Sequence, residues 1–241
     1  LHSHVGVEEM NNADSLQRPL EKEVHPDRDR GWQEWMPSGL FYGITTNPIL
    51  AERAGLFYPS INWSSKMALA EKLNVKEFHI QLPSCDETAI SFAAQRKEEA
   101  QNFNFNFVVK VPLTKEGVKL VPEMKRLRLS ILMTACYHSK QYITADAIEA
   151  DYIAPYFGRM EEAGLDAYDH MSLMKDLEKH PTSRCKILIA SIRSVEQMMT
   201  LAAQGHVYFT ISPSIADELL SAELTLKAAT EFDEAAAKVE V

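Results

Sequence analysis

The sequence predicts an α/β protein folded as a single (β/α)8 TIM barrel, and three observations predict it. From about residue 39 onward, short apolar strand-like runs alternate with amphipathic helical stretches. The connections are too long for hairpins, so the strands run parallel. The chain has 241 residues, near the roughly 250 typical of one such barrel.

Seven strands are read at 40–45, 77–82, 106–111, 129–134, 151–154, 186–191 and 207–211. Helical stretches between them include 87–102, 137–149, 171–179 and 195–203. Two carry capping-box starts, Ser84 with Glu87 and Ser194 with Gln197. Gly205 is a natural stop, and Ser212-Pro213 reads as an N-cap followed by proline at the first helical position. Pro122 interrupts the stretch after residue 112, so that helix is expected to start late or kink. An eighth strand must come from the N-terminus, and 1–7 is the best candidate. Residues 11–38, polar, charge-dense and carrying Pro19, Pro26 and Pro37, read as an inserted loop with room for some helix between the first two strands, with Trp32 and Trp35 in a packed surface loop or, alternatively, covering the rim. The stretch 223–238 reads as a C-terminal helix that caps the barrel or packs on a neighbouring subunit.

The composition, 46% hydrophobic and 24% charged, is that of a soluble globular protein. A net charge of -9 argues against a broad nucleic-acid surface but leaves room for a local basic pocket that takes phosphate. Cys85, Cys136 and Cys185 lie far apart with no CxxC pair, which predicts reduced thiols in a cytoplasmic protein. No run reaches 18 apolar residues, so no membrane partner is expected, and no signal peptide is visible. No glycine-rich nucleotide loop, P-loop or zinc motif appears, so no cofactor is expected. His2 and His4 would share a strand face but have no carboxylate cluster beside them, and no metal is expected there.

Lys110 is the residue with most to say. It ends the run Phe103-Asn104-Phe105-Asn106-Phe107-Val108-Val109, in which alternation places Phe103, Phe105, Phe107 and Val109 on one face and Val108 and Lys110 on the other. An amine desolvated at such a position is a nucleophile toward carbonyl carbon. A strand-end lysine can equally snorkel to water, and this segment alone leaves both readings open. The other strand ends offer Thr45, Thr46, Asn47, Gln81, Thr134, Tyr156, Ser191 and Thr210. Catalytic groups of parallel barrels sit at that rim. Parity is read as turning Gln81 inward with His79, Thr134 inward with Leu132 and Ser130, and Ser191 inward with Ile187 and Ile189. His79 is the one histidine expected inside the barrel, as a satisfied core residue.

Five segments stand in order: Gly43-Ile44-Thr45-Thr46-Asn47-Pro48, Val109 to Gly117, Thr134 to Gln141, Ala154-Pro155-Tyr156-Phe157-Gly158-Arg159 and Leu188 to Arg193. Together they resemble the transaldolase family, most closely its small fructose-6-phosphate aldolase branch, over about four fifths of the chain. The resemblance implies that Lys110 forms a Schiff base with a ketose or ketose phosphate. It implies that Thr134 and Gln81 place the water of imine formation, and that Tyr156 transfers protons with it. Asn47, with Thr46 and Ala154 nearby, would bind substrate hydroxyls, and Arg159, Arg193 and Ser191 its phosphate. Glutamine at 81 and tyrosine at 156 resemble the aldolase branch, whereas members that transfer dihydroxyacetone between sugars tend to carry glutamate and phenylalanine there.

The chain departs from the family in two respects, one being that residues 11–38 are much longer than the family's corresponding link. The family carries an aspartate at the end of its first strand, and with that strand at the N-terminus the position falls near His2, an imidazole able to do acid–base work; the other reading is that the N-terminus is displaced and His2 and His4 are solvent-exposed. The expectation is a class I aldolase acting on a sugar or sugar phosphate. The alternatives are a transaldolase or a catalytically impaired barrel with a binding role. By family analogy the partner is a second copy of the chain, in a homo-oligomer up to a decamer.

Overall fold

The computed structural model describes residues 29–238 and the backbone of residues 4–8. Eight parallel strands close a barrel in sequence order: β1 (His4–Glu8), β2 (Gly43–Thr45), β3 (Glu77–Gln81), β4 (Asn106–Pro112), β5 (Ser130–Cys136), β6 (Tyr152–Pro155), β7 (Lys186–Ile189) and β8 (Tyr208–Ile211). β1 lies between β2 and β8, with Gly6 in register with both Gly43 and Thr210. The seven strands read from sequence are all present: β3, β7 and β8 are a residue or two shorter, β2 three shorter, β4 and β5 run one or two residues further, and β6 is shifted by one. The eighth runs from His4 to Glu8 rather than over 1–7, and residues 1–3 lie outside the described residues.

The helices are α1 (Arg30–Trp35), α2 (Pro48–Arg53), α3 (Trp63–Lys72), α4 (Ala89–Ala100), α5 (Lys115–Arg126), α6 (Lys140–Ala147), α7 (Phe157–Glu162), α8 (Ala167–Glu178), α9 (Val195–Ala203), α10 (Pro213–Leu219) and α11 (Glu223–Ala236). Start signals succeed where a short polar side chain reaches the third amide beyond it. Ser194 accepts from the Gln197 amide at 3.2 Å, and Ser212 from Ile215 at 3.4 Å ahead of Pro213. The Ser84–Glu87 box is not used. α4 begins at Ala89, after a turn in which Asp86 accepts from the Thr88 amide at 2.9 Å. Pro122 does not delay α5 either: the helix opens at Lys115 on the Thr114 cap and carries the proline inside it. The cost is the one backbone bond that proline nitrogen cannot donate.

Strand alternation sorts the buried side chains into two sets. Phe78, Ile80, Val109, Val111, Ile131, Met133, Ile153, Ile187, Ile189 and Ile211 face the helices in one continuous core. Val108, Leu132, Tyr152, Ala154, Tyr156, Leu188 and Ala190 fill the barrel interior. Within the expected inserted segment, residues 11–28 lie outside the described residues, and the stretch from Arg30 forms α1, the helix that reading left room for, with its tryptophans buried and not in a surface loop. Trp32 is 2% exposed and packs edge-on against Phe78 with ring centroids 5.8 Å apart, while Trp35 meets Phe41 at 5.9 Å. These tryptophans belong to the main core.

His206 precedes β8 and is buried. Burial first, then the nearby Lys175 charge, pushes its imidazole down to about 4. The unfolded chain takes up a proton there near pH 6.5 while the folded one refuses it, so this contribution is intact above about pH 6.5 and is lost as pH falls toward 4. Denaturant titrations should show the wild type losing on the order of 1–3 kcal/mol more than His206→Leu over that window.

Candidate active site

The C-terminal rim of the barrel gathers the polar strand ends. Lys110 lies on the interior face of β4, two residues beyond Val108, and is 3% exposed. In register it stands between Gln81 of β3 and Leu132 of β5. Two residues beyond Leu132, the Thr134 hydroxyl sits 2.8 Å from the Tyr156 hydroxyl, both buried. The phenol of Tyr156 is flanked by Tyr137, ring to ring at 5.7 Å, and by the Arg159 guanidinium 5.1 Å from its ring centre. A planar cation over an aromatic face is favourable and fixes both groups.

Thr134 reaches this position by plain alternation from Leu132, and the strand becomes irregular only after it, with Ala135 at φ 59°. Ser191 reaches the rim by a different device, not by the parity read from sequence. Ile187 and Ile189 face the helices, Leu188 and Ala190 face the interior, and β7 ends at Ile189. A left-handed residue at Ser191 itself, φ 63°, then turns the chain. Such a conformation is uncommon outside glycine.

Asn47, Arg53, Tyr156, Arg159, Ser191 and Arg193 line one pocket with Ile49 and Leu50. Five of these six polar residues were singled out from sequence. Arg53 was not, although the Asn47-Pro48 helix start carries it there in the last turn of α2. Asn47 caps that helix, its side-chain oxygen accepting from the Leu50 amide at 2.9 Å. Thr46 donates to the His79 carbonyl at 2.9 Å, locking the β2 end onto β3. Arg193 Nε donates to Glu162 at 2.9 Å, and this bond holds the Glu162 carboxyl below its usual range. The Ser191 hydroxyl is buried with no hydrogen-bond partner among the described residues. Gly158 permits the close approach that builds the pocket wall. A side-chain carbon there would come 2.3 Å from the Ser191 carbonyl and 2.7 Å from Arg193 Cγ.

Ala154 lies in the interior beneath Tyr156. His2 lies outside the described residues and precedes β1 in sequence. The residue at the rim end of β1 is Glu8, in register with Thr45. The first strand is set further along the chain than expected, and its last residue is the carboxylic Glu8.

The family model of the transaldolases and fructose-6-phosphate aldolases matches residues 25–241. The chain belongs to the transaldolase/fructose-6-phosphate aldolase family. It is 25% identical over 203 residues to a probable transaldolase of Coprothermobacter proteolyticus, covering 84% of this chain and 88% of that one. It is 28% identical over 214 residues to a probable fructose-6-phosphate aldolase of Streptococcus pneumoniae, covering 86% and 90%. A probable transaldolase of Nitrosopumilus maritimus is 27% identical over 188 residues, 78% and 81%. As a member of this family the protein is an enzyme of the aldolase or transaldolase type, a lyase or a transferase.

Proposed function

We propose that the protein is a Schiff-base aldolase that makes or breaks the carbon–carbon bond between a dihydroxyacetone unit and a phosphorylated aldehyde. The observation that carries this reading is Lys110, buried on the interior face with the Thr134–Tyr156 hydroxyl pair at the same rim. The neutral amine adds to the ketone carbon, and the carbinolamine loses water to give an iminium. Electrons of the adjacent C–C bond flow into that iminium, leaving an enamine on Lys110 and an aldehyde. Protonation of the enamine and hydrolysis then release dihydroxyacetone. Thr134, Tyr156 and Gln81 place and protonate the water that leaves and returns, and hydroxyls 2.8 Å apart can pass a proton between them.

Cleavage also requires a base for the hydroxyl at the bond being broken. Glu8, at the end of β1 beside Thr45, takes the role expected of His2, and its carboxyl chemistry fits the aspartate the family carries at the end of that strand. Asn47, with Thr46 and Ala154, borders the hydroxyl-bearing end. Arg159, Arg193 and Ser191 grip the phosphate, joined by Arg53. Three guanidinium groups on one pocket of a chain with net charge -9 favour a dianion there. The unpartnered Ser191 hydroxyl gains a bond when a phosphate oxygen arrives. Gln81 and Tyr156 favour release of the enamine to a proton over its transfer to a second aldehyde.

The assembly is a homo-oligomer in which α11 packs on a neighbouring copy. No residue of that helix is buried, and Leu224, Leu226 and Phe232 are exposed.

Borohydride reduction with dihydroxyacetone or fructose 6-phosphate should trap an adduct on Lys110, located by peptide mass. Lys110→Ala should show neither adduct nor turnover; an adduct elsewhere, or none, defeats the reading. Glu8→Gln should still trap the ketose but lose at least about 100-fold in cleavage rate, within the usual span for a lost acid–base group. Unchanged cleavage removes Glu8 from the mechanism. Arg193→Ala should raise KM for the phosphorylated aldehyde about 10- to 100-fold and leave an unphosphorylated one nearly unchanged, equivalent to about 1.4–2.7 kcal/mol.

A further inference from the structure

Beneath Lys110 the barrel interior departs from the branched aliphatic filling usual in such barrels. Phe78 and Ile80 of β3 face the helices, so Glu77, His79 and Gln81 point toward the axis. His79 is 2% exposed and Glu77 8%. His79 Nε2 lies 2.7 Å from one Glu77 oxygen, and the Tyr152 hydroxyl donates to the other at 3.2 Å. An ionised carboxylate only accepts, so Nε2 carries the hydrogen and donates it, leaving Nδ1 as a bare lone pair. Nδ1 is buried with no hydrogen-bond partner among the described residues. A buried acceptor left in that state is a cost that a core phenylalanine or leucine would not incur.

His79 is in register with Val108, two residues before Lys110 on the same face, so the imidazole sits one layer below the amine. We propose that His79, oriented by Glu77, accepts the proton that Lys110 must lose before it can attack a carbonyl. The step is balanced. The Lys110 ammonium becomes an amine, His79 becomes an imidazolium through Nδ1, and Glu77 stays a carboxylate bonded to Nε2, so the net charge of the trio does not change. The three residues are then a nucleophile, its base and the base's orienter. His79 acts through Lys110 and not on substrate, which makes it a positioning residue, and the inference rests on Lys110 being the imine-forming group.

The charges around His79 are arranged for this exchange. Burial and the Lys110 charge oppose its protonation, while Glu77 favours it. Once the amine has given up its proton, the Lys110 opposition vanishes and the Glu77 attraction remains. Among the residues whose side chains are described, the other groups facing the pair are Tyr152 from β6, Tyr42 just before β2, Tyr208 from β8 and Lys186 from β7. The Lys186 ammonium lies 5.8 and 5.6 Å from the Tyr152 and Tyr208 ring centres. Burial, with the charge of Glu77, pushes the Tyr152 and Tyr42 phenols upward, so they keep their protons near neutral pH. Thr45, in register with His79, is hydrogen-bonded to Thr210 at 3.1 Å.

The test is the pH dependence of borohydride trapping on Lys110 with dihydroxyacetone, in wild type, His79→Gln and His79→Phe, each checked for a cooperative thermal transition. Glutamine keeps a donor for Glu77 but has no basic nitrogen, so it preserves a structural role and abolishes a proton-accepting one. In both variants the acid limb should move up by at least about one pH unit, equivalent to a tenfold slower reaction near pH 7. The rate should recover to near the wild-type plateau in alkali. A wild-type limb in His79→Gln, or an equal slowing at every pH, overturns the inference while leaving the Lys110 reading intact. Absence of any wild-type adduct overturns both. If His79→Phe does not fold, His79→Gln decides alone.

Discussion

Closing a sheet on itself leaves every strand with one face toward the helices and one toward the axis, and no edge for either to escape. Everything chemical in this protein depends on that constraint. It commits Val109 and Val111 to the helical layer and so commits Val108 and Lys110 to the interior. An amine held there has little water to keep it charged, and the residues that share its face determine what it does. On β3 those residues are Glu77, His79 and Gln81, an unusually polar set for the inside of a small barrel. A single-residue slip of β4 would bring Val109 and Val111 inside and send the lysine out among the helices.

Much of this was legible in the sequence because period-two alternation and polar strand ends leave a direct trace. The placement of Lys110, Thr134 and Tyr156 on one rim follows from counting along strands, and the structure places the last two in hydrogen-bond contact. Where counting failed, a special backbone conformation had intervened. Ser191 was assigned with Ile187 and Ile189, yet those isoleucines face outward and the serine reaches the pocket through its left-handed turn. No propensity announces such a serine. Arg53 was overlooked because its position depends on a six-residue helix whose start signal, Asn47-Pro48, was read as a site motif only. The first strand is set further along than read because the alternation over 1–8 is weak, and it ends on Glu8.

The arginines of the rim pocket are what a chain of net charge -9 would use to hold the anionic ligand proposed for it. Two of the three are tied to something: Arg159 to the face of Tyr156, Arg193 to Glu162. These contacts reduce the side-chain freedom lost on binding, which for a residue as long as arginine is a large part of the cost. They also join the pocket to the chemistry, because Tyr156 carries Arg159 on its ring and Thr134 at its hydroxyl. A ligand that draws Arg159 away thereby acts on the phenol as well.

Ser191 carries a last implication. A left-handed backbone costs an ordinary residue on the order of 1 kcal/mol, a strain glycine escapes at a comparable loss of chain entropy. Exchange of this serine for glycine is therefore close to neutral for folding, while it deletes a buried pocket hydroxyl that has no partner among the described residues. Thermal hardiness cannot police that position; only the demands of the substrate can keep the oxygen there.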